Sequence, residues 1–172
     1  MRTTHVVVLP YDPKWNEDFS AIRAELETAM GELALRIEHV GSTSVEGMSA
    51  KPCIDVDVVI QDKTCLKAAI ERLASIGYVH EGNLGIEGRE AFCYTDKPHL
   101  QLHHLYVCPA DSEELRRHIT FREFLRQNPD AVKWYSRVKE QAAQCFPDDI
   151  ERYLEYKSPC IAELYRMCGL ED

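Results

Sequence analysis

Several features are missing from this chain of 172 residues, and each absence narrows what it can be. It has no excess of basic residues: 20 Lys and Arg stand against 29 Asp and Glu, a formal net charge of −9. That argues against a sequence-independent nucleic-acid binder, which needs a basic footprint. It leaves room for a single nucleotide in a locally basic pocket. No apolar run approaches the length of a membrane span. The stretch Met1–Pro10 is too short in apolar residues for a signal peptide. A cytoplasmic location without a membrane partner is the expectation. No CxxC pair occurs among the seven cysteines at 53, 65, 93, 108, 145, 160 and 168. Scattered and odd in number, they read as reduced, mostly buried thiols. There is no internal repeat, low-complexity tract or Gly/Ser linker. One domain over residues 1–172, with 45% hydrophobic residues to build its core, is the simplest organisation.

What is present has a readable order. Trp15, Phe19, Ile22 and Leu26 recur at helical steps between Pro13 and Gly31. Leu33 to Val40 suits a strand. Ile54 to Ile60 suits a central one, apolar on both faces except for two aspartates. Asp62 can cap a helix to about Ser75, which Gly77 ends. Tyr78 to His80 is extended, and Gly82, Gly85 and Gly88 mark a loop or hairpin tip. Ala91 to Thr95 and His99 to Cys108 suit paired strands. The last third is helical, with a capping box expected from Asp111 to Glu114. It breaks at Asn128-Pro129 and at Phe146-Pro147. Strands in the middle and helices at both ends predict a mixed α/β (α+β) fold: a small mixed sheet flanked by helices, with a helical C-terminal third.

The chemistry concentrates in Val40-Gly41-Ser42-Thr43-Ser44 and in Lys51-Pro52-Cys53-Ile54-Asp55-Val56-Asp57. Alternation on a strand puts Asp55 and Asp57 on one face, roughly 6–7 Å apart. Two carboxylates on a Val/Ile-rich strand repel each other and resist burial. A Mg²⁺ or Mn²⁺ ion between them would relieve both penalties. Gly41 permits a tight turn, and the N–H groups and hydroxyls after it can cradle phosphate. Lys51, held extended by Pro52, and Arg89, beside two glycines, can neutralise phosphate or can be solvated surface cations. His103 and His104 face opposite sides of their strand, so only one of them can line a given site.

The turn followed by D-x-D resembles the polymerase-beta-type nucleotidyltransferases. The run Ile37 to Asp55 looks more closely like the GrpB family, as do Tyr11 to Trp15, Gly85 to Phe92, His103 to Val107, His118 to Leu125 and Tyr156-Lys157-Ser158. The resemblance spans nearly the whole chain. It implies a nucleotidyltransferase-like fold with Asp55 and Asp57 as catalytic metal ligands and Gly41 and Ser42 at the triphosphate, where the Thr43 hydroxyl can add a donor. Lys51, Arg89 and Lys157 match recurrent family positions, where an anion-contact role is our inference. The implied activity transfers a nucleoside monophosphate from a nucleoside triphosphate to a small acceptor, with Mg²⁺ or Mn²⁺. Members fused to dephospho-CoA kinase imply an accessory association with that enzyme.

The chain departs from the pattern in three places. Tyr106 stands where a histidine is expected, and Glu46 where a proline is common. Superfamily enzymes also place a third carboxylate on a neighbouring strand, and Leu100 to Val107 contains none. Glu87, Glu90 or Asp96 would have to reach in, or a histidine would serve as base. The alternative is a non-catalytic module that binds a nucleotide, a CoA-related molecule or a protein. A zinc hydrolase using His103 or His104 with Cys108 is a third option.

Overall fold

The computed structural model describes residues 5–170, so the first four residues of the N-terminal stretch lie outside the described residues. Five strands form one sheet: β1 (Arg36–Val40), β2 (Ile54–Ile60), β3 (Val79–Gly82), β4 (Glu90–Cys93) and β5 (His103–Pro109). Their order is β1-β2-β5-β4-β3. Only β2 and β5 run parallel; the other neighbours are antiparallel. The sheet is mixed, as expected, and β2 is flanked on both sides.

Alternation on β2 sorts its residues. Ile54, Val56, Val58 and Ile60 face the main core with Trp15, Ile22, Leu26 and Met30 of α1 (Lys14–Met30) and Ala69 and Leu73 of α2 (Leu66–Ala74). Burying side chains of this size contributes about 1.5–3 kcal/mol each. On the opposite face Val59 and Cys108 meet Leu115 of α3 (Glu113–Gln127). Beyond α3, α4 (Pro129–Cys145) and α5 (Ile150–Met167) close on Val45 and Met48, which follow the Gly41 turn. The face that carries Asp55 and Asp57 is therefore the one covered by the helical C-terminal third. No helix of the described residues is long and apolar enough to cross a membrane.

Some boundaries differ from expectation, each for a local reason. β1 starts at Arg36, because Gly31–Leu33 form a single 3-10 turn after α1. A similar turn over Lys63–Cys65 precedes α2; there Asp62 accepts from Thr64 N, so the expected cap is present one turn early. α3 is capped by Ser112, whose hydroxyl accepts from Leu115 N, rather than by an Asp111–Glu114 box. Ser112 can do this because its Oγ also donates to Gly88 O, tying the helix start to the β3–β4 hairpin. All seven cysteines are free, but they are less buried than expected: only Cys108 and Cys160 are buried, and Cys145 is exposed.

Candidate nucleotide and metal site

A cavity of about 320 Å³ opens between the aspartate face of the sheet and helices α3 to α5. Gly41, Ser42, Thr43, Lys51, Asp55, Arg89 and Lys157 all line it, so five separate stretches of sequence converge. Asp57 is not on its wall; it lies beneath, 0% exposed.

The turn that leads into the cavity is set by Gly41, at φ 74° and ψ −176°. A Cβ there would stand 2.2 Å from Asp55 Oδ2. The backbone of the turn thus lies directly against the first aspartate, and only glycine allows it. Ser44 N donates to Gly41 O at 3.1 Å and Ser44 Oγ to the same oxygen at 2.5 Å. Thr43 Oγ1 is bonded to His39 Nε2 at 2.9 Å. Burial, resisted by Asp55, pushes His39 down to about 4, so its imidazole is neutral. Arg126 grips Ser44 O from α3 at 2.8 Å, and Arg122 holds His39 O at 2.9 Å and Glu38 at 2.7 Å. Among the described residues, Ser42's is the one of the three hydroxyls met by an amine: Lys139 Nζ lies 2.9 Å from Ser42 Oγ.

Each aspartate is engaged by one histidine. His104 Nδ1 donates to Asp55 Oδ1 at 3.0 Å, and His118 Nδ1 to Asp57 Oδ2 at 2.6 Å. His118 Nε2 lies 3.2 Å from Glu114, which completes an acid–imidazole–acid chain. Burial disfavours charge on His118, but the bond to Asp57 and the surrounding carboxylates raise it above the ordinary imidazole value. Burial also raises Asp57, against the pull of His118. Asp57 Oδ1 is buried and has no hydrogen-bond partner among the described residues. A carboxylate oxygen can only accept, so it is satisfied by a donor or a cation.

That orphaned oxygen and Asp55 Oδ2 are the two oxygens left over by the histidines. Hard oxygens in a pair suit Mg²⁺ or Mn²⁺, which take one or two carboxylates and fill the remaining positions with water and phosphate oxygens. The residues therefore fit such an ion. Among the described residues, no group of three or more His, Cys, Asp or Glu side chains could hold a metal by itself. The zinc arrangement is not formed either: His103 is buried, with Nε2 2.7 Å from Tyr78 OH and Nδ1 2.7 Å from Gln101 O.

No carboxylate takes the third place on β5. In register, His104 stands opposite Asp55 and Tyr106 opposite Asp57. Glu90 turns to His80 at 2.9 Å, and Glu87 and Glu90 line a separate cavity behind the hairpin. Asp96 is not on the cleft wall. His104 does not act as a base here: hydrogen bonds to Asp55 and Cys53 push it up to about 10, so it is cationic at neutral pH. Its folded value lies above its unfolded one, so the stability it contributes is complete below the free-imidazole value and lost as pH rises through about 10. Its side chain is 52% exposed, and screening limits the pair to about 1 kcal/mol. The stability difference between wild type and His104→Gln, measured by urea unfolding, should shrink over that range. A difference that grows with pH would contradict this assignment.

The cations come from both ends of the chain. Arg89 lies 4.1 Å over the Tyr106 ring. Lys51 and Lys157 place their amines 5.3 and 4.8 Å from the centre of the Tyr153 ring. Burial and the neighbouring Lys51 push Lys157 down to about 8. Lys157 thus reaches the cleft although Tyr156 and Ser158 beside it are exposed. Sequence reasoning missed Lys139, Arg117, Arg122 and His118, all on the cleft wall. A signal existed. Lys139 interrupts the apolar stripe Val132, Tyr135, Ala142 of α4, and His118 and Arg122 lie at helical spacing between Leu115 and Leu125 of α3.

The comparisons agree with this architecture. The GrpB protein family model matches residues 5–167. The glutamate-rich protein GrpB of Alkalihalophilus pseudofirmus is 33% identical over 162 residues, covering 92% of this chain and 93% of that one. Protein YqkA of Bacillus subtilis is 31% identical over 156 residues, but they make up only 45% of its length, so this chain spans less than half of that relative. The crystal structure of GrpB from Enterococcus faecalis superposes with a TM-score of 0.82 at 32% identity, covering 94% and 96% of the two chains. Cid1 poly(U) polymerase with MgGTP bound matches at a TM-score of 0.56 and 13% identity, over 80% of this chain and 44% of Cid1. That likeness establishes the nucleotidyltransferase-like fold and nothing finer. With the family model covering nearly its whole length and the GrpB relatives matching it end to end, the chain belongs to the GrpB family.

Proposed function

We propose that this protein binds a nucleoside triphosphate together with Mg²⁺ or Mn²⁺ and transfers the nucleoside monophosphate to a small acceptor. The observation that carries the proposal is the abutment of Gly41 on Asp55, which sets the turn against a carboxylate pair with one buried oxygen unsatisfied among the described residues. In this reading the Gly41–Ser42 backbone and the Ser42 hydroxyl hold the β- and γ-phosphates. Lys51, Arg89 and Lys157 neutralise them. Asp55 and Asp57 hold the ion, which when bound supplies charge stabilisation at the phosphates. His104 and His118 orient the two carboxylates and hold their protons away from the ion-facing oxygens.

A second reading is binding without turnover. It is favoured by β5, where a cationic imidazole and a phenol occupy the positions open to a third acid. The dephospho-CoA kinase of Mycolicibacterium paratuberculosis, 27% identical across 94% of this chain and 45% of its own, gives this reading a CoA-related context and a kinase partner to test. Mn²⁺-dependent binding of ATP or GTP, followed by calorimetry, is expected for wild type and lost in the Asp55→Asn, Asp57→Asn double variant. Unchanged affinity in that variant would overturn the site. Pyrophosphate release across a panel of acceptors separates the two readings: turnover supports transfer, and tight binding with no release supports the binding module.

A further inference from the structure

We propose that Ser42 is itself a nucleophile: Lys139, whose amine touches its hydroxyl, takes the Ser42 proton while the oxygen accepts a phosphoryl group from a phosphoanhydride in the cleft. The starting observation is geometric. Lys139 is 2% exposed, with its amine 2.9 Å from Ser42 Oγ and 4.3 Å from the centre of the Tyr135 ring. A lysine kept for stability either reaches solvent with its amine or pairs with a carboxylate. Among the described residues Lys139 does neither. The groups that act on it are Lys157 and Cys160 from α5, Asp55 from β2 and Glu140 from its own helix. Burial and then Lys157 outweigh the rest and hold the amine well below its ordinary value. A lysine amine bonded to a serine hydroxyl is a general-base pair that recurs on unrelated folds.

The turn singles out Ser42 for this role. Thr43 Oγ1 is committed to His39 and Ser44 Oγ to Gly41 O. Ser42 lines the cavity and is only part-buried. The balance of the step is simple. Ser42 Oγ forms a bond to the terminal phosphorus, the bridging P–O bond breaks, and the nucleoside diphosphate leaves with that electron pair. The hydroxyl proton goes to Lys139, where the resulting ammonium lies beside the new phosphate dianion. The phosphoserine then fills the place of the incoming phosphate, so the modified protein loses triphosphate binding. The identity of the donor rests on the triphosphate reading above; the nucleophilicity of Ser42 does not.

The test uses the full chain and two probes. A fluorophosphonate, which needs no nucleotide site, is expected to modify Ser42 by peptide mapping. The modification should vanish in Ser42→Ala and slow about a hundredfold in both Lys139→Met and Lys139→Arg. The arginine variant supplies a fixed cation but cannot act as base, so it separates the proposal from simple charge neutralisation. An unmodified Ser42 in wild type, or unchanged rates in both lysine variants, overturns the proposal. ATP labelled at the γ-phosphate should then label Ser42, and ATP labelled at the α-phosphate should not. Bound nucleotide with no γ-label on Ser42 overturns the proposal and leaves the triphosphate reading standing. Fluorophosphonate labelling without any nucleotide binding supports the nucleophile and overturns that reading instead.

Discussion

Gly41→Ala is expected to destabilise the protein by about 3 kcal/mol and to remove nucleotide binding together with it. Two terms add. The φ of 74° is strained for any residue with a Cβ. The new methyl group would also stand 2.2 Å from Asp55 Oδ2 and 2.9 Å from Cγ, so either the turn or the carboxylate must shift. Both belong to the proposed site, and neither can move without opening it. A cycle with Asp55→Ala separates the terms. In that background the contacts with Oδ2 and Cγ are gone, while the backbone strain and a tight 3.0 Å contact with the remaining Cβ persist, so the cost of Gly41→Ala should fall to about 2 kcal/mol. Equal costs in both backgrounds, read from urea midpoints, would show that the abutment is not what fixes this glycine.

The second large effect concerns the pair beneath the cleft. His118→Leu should cost about 3–5 kcal/mol, because it strips Asp57, at 0% exposure, of the hydrogen bond that holds one oxygen. The other oxygen already has no partner among the described residues. The loss should be smaller at acid pH, where a protonated Asp57 carries no charge to strand. Replacing both residues, as Asp57→Leu with His118→Leu, should recover most of the stability, since an apolar pair of similar volume is nearly neutral in place of a buried ion pair. The double variant would then fold without binding metal or nucleotide. Such a split would show that the pair is kept for chemistry. A double variant no more stable than His118→Leu would assign the pair to the fold instead.

These two sites also mark what sequence alone could disclose. The Gly41 turn and the Asp55-x-Asp57 strand are close in the chain and carry local signals: a permissive glycine and a period-two pattern broken by charge. Their placement on one face of a flanked strand follows from alternation and from the apolar residues around them. The helical half of the cleft was less legible. Lys139 and His118 contribute through packing of α3 and α4 over the sheet, which brings them to residues 97 and 61 positions away. In the sequence each is one polar residue on an amphipathic helix, and burial is a tertiary property. The cap at Ser112 shows the same limit on a smaller scale, since its competitor Asp111 lost to a contact with the distant Gly88. The histidine-for-acid exchange on β5 was visible as an absence. That the imidazole would stand against Asp55 as a cation required the register of β2 with β5.

The central claim is that Asp55, Asp57 and the Gly41–Ser42 turn form one seat for a divalent ion and a triphosphate. A crystal soaked with Mn²⁺ and a non-hydrolysable nucleoside triphosphate tests it directly, because anomalous scattering locates the ion without reference to the fold. The account predicts a Mn²⁺ peak at the Asp55 and Asp57 carboxylates, with the terminal phosphates against Ser42. Nucleotide bound with no ion at the aspartates, or an ion bound elsewhere in the cleft, would contradict it.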